Sequence, residues 1–301
     1  MAVNVEIWQP LVKEQLFKSN EFLNYMTNAD EYVIGGSVVH IPQSGGASAV
    51  ERNRSVLPGL VTKRADTDVV YALDEYTTDP RLISNIDKVE LSYDKMNSVI
   101  KEDTEAMMEL VGDWILYDSA KTVATAAKVA TTGAAAAATA PGATGNRKIF
   151  VKADIQAAKK VLDKQQLPKG DRYMILSAEA LDQLMSDANL FDTYQRSLDI
   201  AEGKFARLFG FQIIERSYVN TVDSSQVLKA PGAATTTNDS EAVLFFHRTG
   251  IERALGTINI FDKMGDPTYY GDVISFLVRA GSRACRADNK GYGIIYQAAS
   301  A

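Results

Sequence analysis

The pattern of hydrophobic and polar residues predicts one long helix in the first half of the chain. Between Lys95 and about Lys128, apolar residues recur at steps of three and four, and the acidic residues lie off this stripe. The stripe consists of Met96, Val99, Ile100, Met107, Leu110, Val111, Trp114 and Ile115. At 1.5 Å per residue the helix would be ~45 Å long, which exceeds a typical domain helix. We expect it to serve as the backbone of the fold.

Shorter segments on either side predict further helices and strands. Residues 37–42 and 66–76 are rich in β-branched and aromatic residues, which is typical of strands. Residues 11–26 and 152–165 have helical patterns, and the C-terminal third alternates apolar and polar residues as antiparallel strands do. Because helices and strands are mixed without a regular βαβ repeat, the sequence predicts the α+β class.

The segment between the two predicted strands, residues 43–65, is long and has no periodicity. Compact domains seldom carry so long an irregular insertion without a use for it. It is either a disordered loop or a two-stranded arm that needs a neighbouring molecule, since such an arm is not stable alone. Its basic cluster lacks the interleaved aromatic residues of single-strand nucleic-acid sites, so we expect contacts with a neighbouring subunit. The predicted contact residues are Arg52, Arg54, Leu57, Lys63 and Arg64.

Two other stretches, residues 129–148 and 228–240, are of low complexity and rich in Ala, Thr and Gly. The first has no side chains that could pack or carry out chemistry, so we expect a flexible loop there. Both are interpreted as surface insertions rather than domain linkers.

Composition narrows the class of protein. The 301 residues include 46% hydrophobic and 23% charged residues, which is sufficient for a substantial core. The net charge of -6 argues against nucleic-acid binding through the overall field. A single cysteine, Cys285, excludes an internal disulfide framework and fits a reducing cytoplasm. No apolar run is long enough to cross a bilayer, and the N-terminus does not resemble a signal peptide.

Ser177 lies where a predicted strand meets a predicted helix, a place for either a hydrolase nucleophile or a helix cap. A nucleophile elbow needs glycines two positions on either side, and those positions hold Ile175 and Glu179. The only histidines that could act as a base are His40 and His247, in strand-like contexts without metal-ligand spacing. We therefore expect Ser177 to cap the helix, and we expect no catalytic, cofactor-binding or metal site.

In this order, the elements resemble the major capsid proteins of tailed bacteriophages, which share the Hong Kong 97-like fold. The resemblance covers nearly the whole chain, and residues 203–220 (GKFARLFGFQIIERSYVN) are its most diagnostic part. Ala178 stands where the family usually has proline. The other matching segments are residues 32–46 and 66–83 for the extended loop, 95–128 for the spine helix, 167–185 for the start of the axial domain, and 242–255 for the strand and short helix that follow.

The resemblance implies a division of the chain into four parts. These are an N-terminal arm (1–35), an extended loop forming a long β-hairpin (36–80), a peripheral domain with the spine helix (81–166 and 250–290), and an axial domain (167–249 and 291–301). In that family the extended loop lies over the adjacent subunit. Some members cross-link covalently through a lysine of this loop; Lys63 lies in the right element, but its asparagine and glutamate partners are not identifiable.

The resemblance also implies a function. Copies would form pentamers and hexamers that tile an icosahedral head around the phage dsDNA, without sequence-specific DNA binding. Other partners would be a separate scaffolding protein, a portal and decoration proteins, and the protein would be found in the virion after assembly in the host bacterial cytoplasm. No membrane partner, no enzymatic activity and no cofactor are expected. Two alternatives stay open: an encapsulin-type compartment shell, and a Ser177-dependent hydrolase.

Overall fold

The computed structural model describes residues 20–34, 37–45, 48–55, 57–59, 61, 63–84, 95–187, 198–199, 204–205 and 207–300. The helical pattern predicted at 11–26 lies mostly outside these residues. Its described end forms a 3₁₀ turn, Glu21–Tyr25, with Phe22 and Leu23 buried.

The strands of the described chain are short except for two near the C-terminus. They are β1 (Thr27–Asn28), β2 (Val33–Ile34), β3 (Val38–Gln43), β4 (Thr67–Ala72), β5 (Asp74–Thr77), β6 (Arg81–Ser84), β7 (Lys128–Ala130), β8 (Ala135–Ala137), β9 (Asn146–Lys148), β10 (Arg172–Leu176), β11 (Leu198–Asp199), β12 (Lys204–Phe205), β13 (Phe211–Glu215), β14 (Asn220–Val222), β15 (Ser240–His247), β16 (Ile251–Asp266), β17 (Gly271–Ala284) and β18 (Tyr292–Tyr296). The α-helices are α1 (Lys95–Ala120), α2 (Lys152–Lys164) and α3 (Ala178–Met185).

A five-stranded sheet is built around the two long strands. Its order is β1-β16-β17-β5, and β6 pairs with a second part of β17. β16 and β17 are antiparallel from Ile251 opposite Ala284 to Asp266 opposite Gly271. The alternation predicted for the C-terminal third is confirmed here, because every second residue over much of β17 is buried.

The long helix α1 packs against this sheet and is confirmed, but it is shorter than predicted. It has 26 residues and ends at Ala120, so it is about 39 Å long. The expected extension to Lys128 is wrong because Lys128 begins β7, which pairs with β18. The buried stripe also differs: Met108 and Leu116 are buried, whereas Leu110, assigned to the stripe from the sequence, is about half exposed. Met96, Val99 and Ile100 have side chains outside the described part of the chain.

A six-stranded mixed sheet forms the other half of the fold. Its order is β13-β10-β15-β18-β7, and β14 also pairs with β15. β10 and β13 are parallel, and β10 and β15 are antiparallel. Helices α2 and α3 cover one face through a core that includes Ile155, Leu162, Leu184, Phe211 and Phe245. Helix α2 therefore packs against the six-stranded sheet; the domain boundary at residue 166 stays a prediction.

One hydrophobic core joins the two sheets. Met108 and Ile115 of α1 lie in the same cluster as Phe276 of β17 and Ile175 and Phe246 of the six-stranded sheet. The helix is thus shared between both halves, which supports its predicted role as the backbone of the fold.

The two low-complexity stretches are structured and pack against each other, so the expectation of a flexible loop without packing side chains is wrong. β8 and β9 form a hairpin within residues 129–148. Buried Arg147 donates from Nε to Ser240 Oγ at 3.0 Å and from Nη2 to Thr237 O at 3.2 Å. Thr144 N also donates to Thr237 O at 3.0 Å. Polar contacts replace the apolar side chains that the stretch lacks.

The two strands predicted on either side of the long insertion form a hairpin. β3 and β4 pair antiparallel from Val38 opposite Ala72 to Gln43 opposite Thr67. Residues 44–66 connect them, and their described part contains no strand. A single residue, Leu73, separates β4 in this hairpin from β5 in the five-stranded sheet.

Candidate functional site

The connection between β3 and β4, which we call the hairpin tip (residues 44–66), exposes both apolar and basic side chains. Leu57 is 80% exposed, and Val50 and Val61 are 96% and 95% exposed. Single exposed aliphatic residues are common, but three on one segment form a surface that is suited to contact with another molecule.

The predicted contact residues all lie on the hairpin tip and are exposed, namely Arg52, Arg54, Leu57, Lys63 and Arg64. Arg54 Nε lies 3.2 Å from Glu51 Oε2, and Arg64 Nε lies 2.5 Å from Asp66 Oδ1. Exposed pairs of this kind contribute little stability. They hold two of the basic groups on the tip without fixing the tip to the rest of the chain.

The base of the hairpin, in contrast, is anchored to the five-stranded sheet. Gln43 Nε2 donates to Cys285 O at 2.7 Å, and Arg283 Nη1 donates to Val70 O at 2.8 Å. Val39 and Leu73 are buried in a small apolar cluster with Ala254 of β16. The hairpin therefore has a fixed base and a tip that presents its side chains to solvent.

A groove of about 470 Å³ lies between α1 and strands β5 and β6. Its apolar surface includes Met107 and the half-exposed Leu110. Asp79 and Glu75 line its rim, and Asp103 Oδ1 pairs with Arg81 Nε at 3.1 Å. Burial raises the pKa of Asp103, while Arg81 opposes this shift. We call this feature the α1 groove; it combines an apolar floor with a charged rim of three carboxylates and Arg81.

A second exposed apolar patch lies at the far end of the β16–β17 pair. Tyr270 is 77% exposed, and Tyr269, Phe261 and Met264 are also exposed there. β6 adds the exposed Leu82 beside this end. The alternating pattern of the sequence did not reveal this patch, although two consecutive tyrosines after a Pro-Thr turn are a signal for it.

Ser177 has the geometry of a helix N-cap. Its Oγ accepts a hydrogen bond from Ala180 N at 3.0 Å at the start of α3. His40 Nδ1 lies 3.1 Å from Asp68 Oδ2 on the hairpin, and His247 Nδ1 lies 2.8 Å from Thr249 Oγ1. Each histidine is thus paired with a polar side chain of the adjacent strand or turn. The described residues contain no group of three or more metal-ligating side chains, and none of their helices is long and apolar enough to span a membrane.

The sequence model of the phage capsid protein family matches residues 23–296. The chain belongs to this family. It is a structural subunit of a phage capsid, and the assignment covers both sheets and α1. No curated protein sequence matches the chain.

Solved capsid structures have the same fold as this family member. The capsid protein of cyanophage P-SCSP1u has a TM-score of 0.65 at 16% identity, over 92% of this chain and 87% of that one. A protein of Mycobacterium phage Che8 has a TM-score of 0.61 at 18% identity, over 91% and 90%. The virus-like particle from Pyrococcus furiosus gives 0.52 at 9% identity, over 97% and 98%. The predicted α+β, Hong Kong 97-like fold is therefore confirmed.

Proposed function

We propose that this capsid protein forms pentamers and hexamers that tile an icosahedral head around packaged dsDNA, and that the hairpin tip of one copy docks in the α1 groove of the next. The observation that carries this proposal is the hairpin tip, which exposes aliphatic and basic side chains together. A tip without a core of its own gains order only against a partner surface.

Charge complementarity supports the docking of tip and groove. The tip carries Arg52 and Lys63, both exposed. The α1 groove has Asp79 on its rim, and the exposed Glu105 and Glu109 lie on the same helix as its floor. Opposite charges on two surfaces steer association and fix its register more than they add to affinity.

Apolar contact supplies the affinity in this arrangement. Leu57 projects from the tip, and Leu110 is exposed at the edge of the α1 groove. Burying one leucine side chain stabilises a contact by about 1.5–3 kcal/mol. A ring of five or six copies would contain five or six such contacts, each weak alone.

Charge reversal tests the docking. We expect Arg52→Glu with Lys63→Glu to reduce particle formation strongly, and Asp79→Lys with Glu109→Lys to do the same, because each places like charges in contact. A chain with all four changes should regain particles, since the complementarity is reversed on both sides. Negative-stain microscopy and sedimentation measure the yield, with Lys160→Glu and Lys164→Glu on α2 as the matched control. Failure of the fourfold variant, with folding intact, contradicts the docking.

The remaining partners are proposed on the family alone. A separate scaffolding protein, a portal and decoration proteins complete the head, and assembly takes place in the host bacterial cytoplasm. With a net charge of -6, the chain is expected to enclose dsDNA without binding it sequence-specifically. Nuclease-protected DNA in purified particles distinguishes this function from that of a compartment shell, which would enclose protein cargo.

A further inference from the structure

The hairpin meets the five-stranded sheet at a narrow junction. β4 ends at Ala72 and β5 begins at Asp74, so only the buried Leu73 lies between the two sheets. Because so few residues connect them, the side chains packed across this junction decide how firmly the hairpin lies on the sheet.

A carboxyl group is buried at this junction without a full set of hydrogen bonds. Glu252, near the start of β16, is 3% exposed. It lies opposite Arg283 on β17 and beside Thr27 on β1, so all three side chains share one face of the sheet. The Tyr71 hydroxyl, from β4 of the hairpin, faces Glu252, as does the Cys285 thiol. Neither Glu252 Oε1 nor the Tyr71 hydroxyl has a hydrogen-bond partner of good geometry among the described residues.

The charged groups around Glu252 are committed to other partners. Arg283, which lies opposite Glu252, donates from Nη1 to Val70 O at 2.8 Å, and its charge favours the ionised form of Glu252. Asp30, whose negative charge also acts on Tyr71, pairs with Arg253 Nη1 at 3.3 Å. An ionised Glu252 would still be a charge at a site that is 3% exposed, and burying a charge is costly even near an opposite one.

We infer that Glu252, Tyr71 and Cys285 form a proton-operated latch, which holds the hairpin on the sheet when the Glu252 carboxyl is neutral and loosens it when the carboxyl ionises. A neutral carboxyl removes the charge from the closed junction. An ionised carboxyl can still accept from the Tyr71 hydroxyl, but it places a charge at a site that is 3% exposed, and opening the junction to water relieves this cost. The latch concerns how the hairpin lies on its own chain and does not depend on where its tip docks.

The direction of the pH dependence follows from burial. Burial raises the pKa of Glu252 from 4.5 to about 7, although Cys285, Tyr71 and Arg283 oppose the shift. The closed form thus binds the proton more tightly than the open form, and its advantage is complete below the ordinary pKa and lost as the pH rises through about 7. A shift of this size changes the ratio of closed to open junction by roughly 10²-fold.

The reactivity of Cys285 measures the opening, because it is the single cysteine of the chain. Burial raises the pKa of its thiol to about 12, so it reacts slowly while the junction is closed. Purified full-length protein is alkylated with an uncharged reagent between pH 5.5 and 8.5, and each rate is divided by the rate for denatured protein at the same pH. We expect this protection to fall roughly thirtyfold across the range, because part of the closed form's advantage is already lost at pH 5.5. Constant protection in the wild-type protein overturns the latch, and this arm needs no variant.

Two variants separate the latch from a general effect of pH. Glu252→Gln should remove the pH dependence, because the amide stays neutral, whereas Glu241→Gln, at a buried carboxyl of the six-stranded sheet, should keep it. Amide hydrogen exchange of β3, β4 and β15 distinguishes local opening from unfolding. Amide exchange accelerates with pH even in an unfolded chain. An increase beyond this intrinsic effect that is confined to β3 and β4 supports the latch. A pH dependence that persists in Glu252→Gln, or an equal loss of protection in β15, overturns it.

Discussion

At the residue scale, buried polar side chains fix the positions of segments that the apolar pattern leaves unspecified. Asn20, at the start of the described chain, donates from Nδ2 to Met108 O of α1 at 2.9 Å. Arg216 Nη2 donates to Asn20 Oδ1 at 3.3 Å and pairs with Asp113 Oδ1 at 2.6 Å. A buried group that loses such a partner costs more than the bond itself contributed. Changes at these residues are therefore expected to act on stability, as is the case for Ser177.

We expect Ser177→Ala to lower the free energy of unfolding by about 1 kcal/mol, because Ala180 N loses its hydrogen-bond acceptor. Particle formation should persist, since the cap lies inside the subunit. Urea denaturation measures the stability and electron microscopy the particles. Ser224→Ala, at an exposed serine of a turn, is the control and should leave both unchanged. Loss of particles at unchanged stability would mean that Ser177 has a role other than capping.

At the element scale, the sequence was informative where apolar side chains follow a regular period. The hairpin strands were predicted from their β-branched and aromatic residues. Helix α1 was predicted because its three-to-four spacing reflects burial against one face. The end of α1 was not predicted because Lys128 pairs with β18, and a partner about 165 residues away leaves no local signal. The α1 groove was missed for the same reason: it is formed by a helix and two strands that precede it in the chain.

The prediction for the low-complexity stretches failed for a different reason. They contain few apolar side chains, so their composition indicated a loop, yet Arg147 provides the donors that organise them. Its Nε and Nη atoms reach Ser240 Oγ and the carbonyl oxygens of Asn146, Thr237 and Asp239. One arginine in a run of small residues can thus specify structure that composition alone does not reveal.

Arg147→Ala is expected to lower the free energy of unfolding by about 2–3 kcal/mol, because several buried acceptors lose a charged donor. The effect should be concentrated in β8, β9 and residues 228–240, where hydrogen exchange should accelerate while β10 stays protected. Arg147→Lys is the matched control, since it keeps the charge but not the planar fork, and it should recover only part of the stability. An unchanged exchange rate in β8 and β9 would contradict this role.

At the scale of the whole molecule, burial and exposure are divided between the centre and the extremities. The shared core around α1 makes both sheets one folded body. The exposed apolar groups that form patches lie at the hairpin tip and at the end of the β16–β17 pair, which project from it. We therefore propose that the subunit is stable through its centre and associates through these exposed patches. Folding and assembly should therefore be separable by mutation.

Deletion of residues 45–64, with a short turn in their place, tests this separation. We expect a folded subunit whose thermal midpoint stays close to that of the intact chain, because the described residues of the tip contribute almost nothing to the core. The same variant should form few or no closed particles by light scattering and electron microscopy, since we propose that the tip contacts the next copy. Replacing residues 45–64 by an equally long Gly/Ser segment is the control for chain length. If that segment restores particles, the tip acts only as a connection and its side chains make no intersubunit contact. If it assembles as poorly as the deletion, the aliphatic and basic side chains of the tip are what a neighbouring subunit binds.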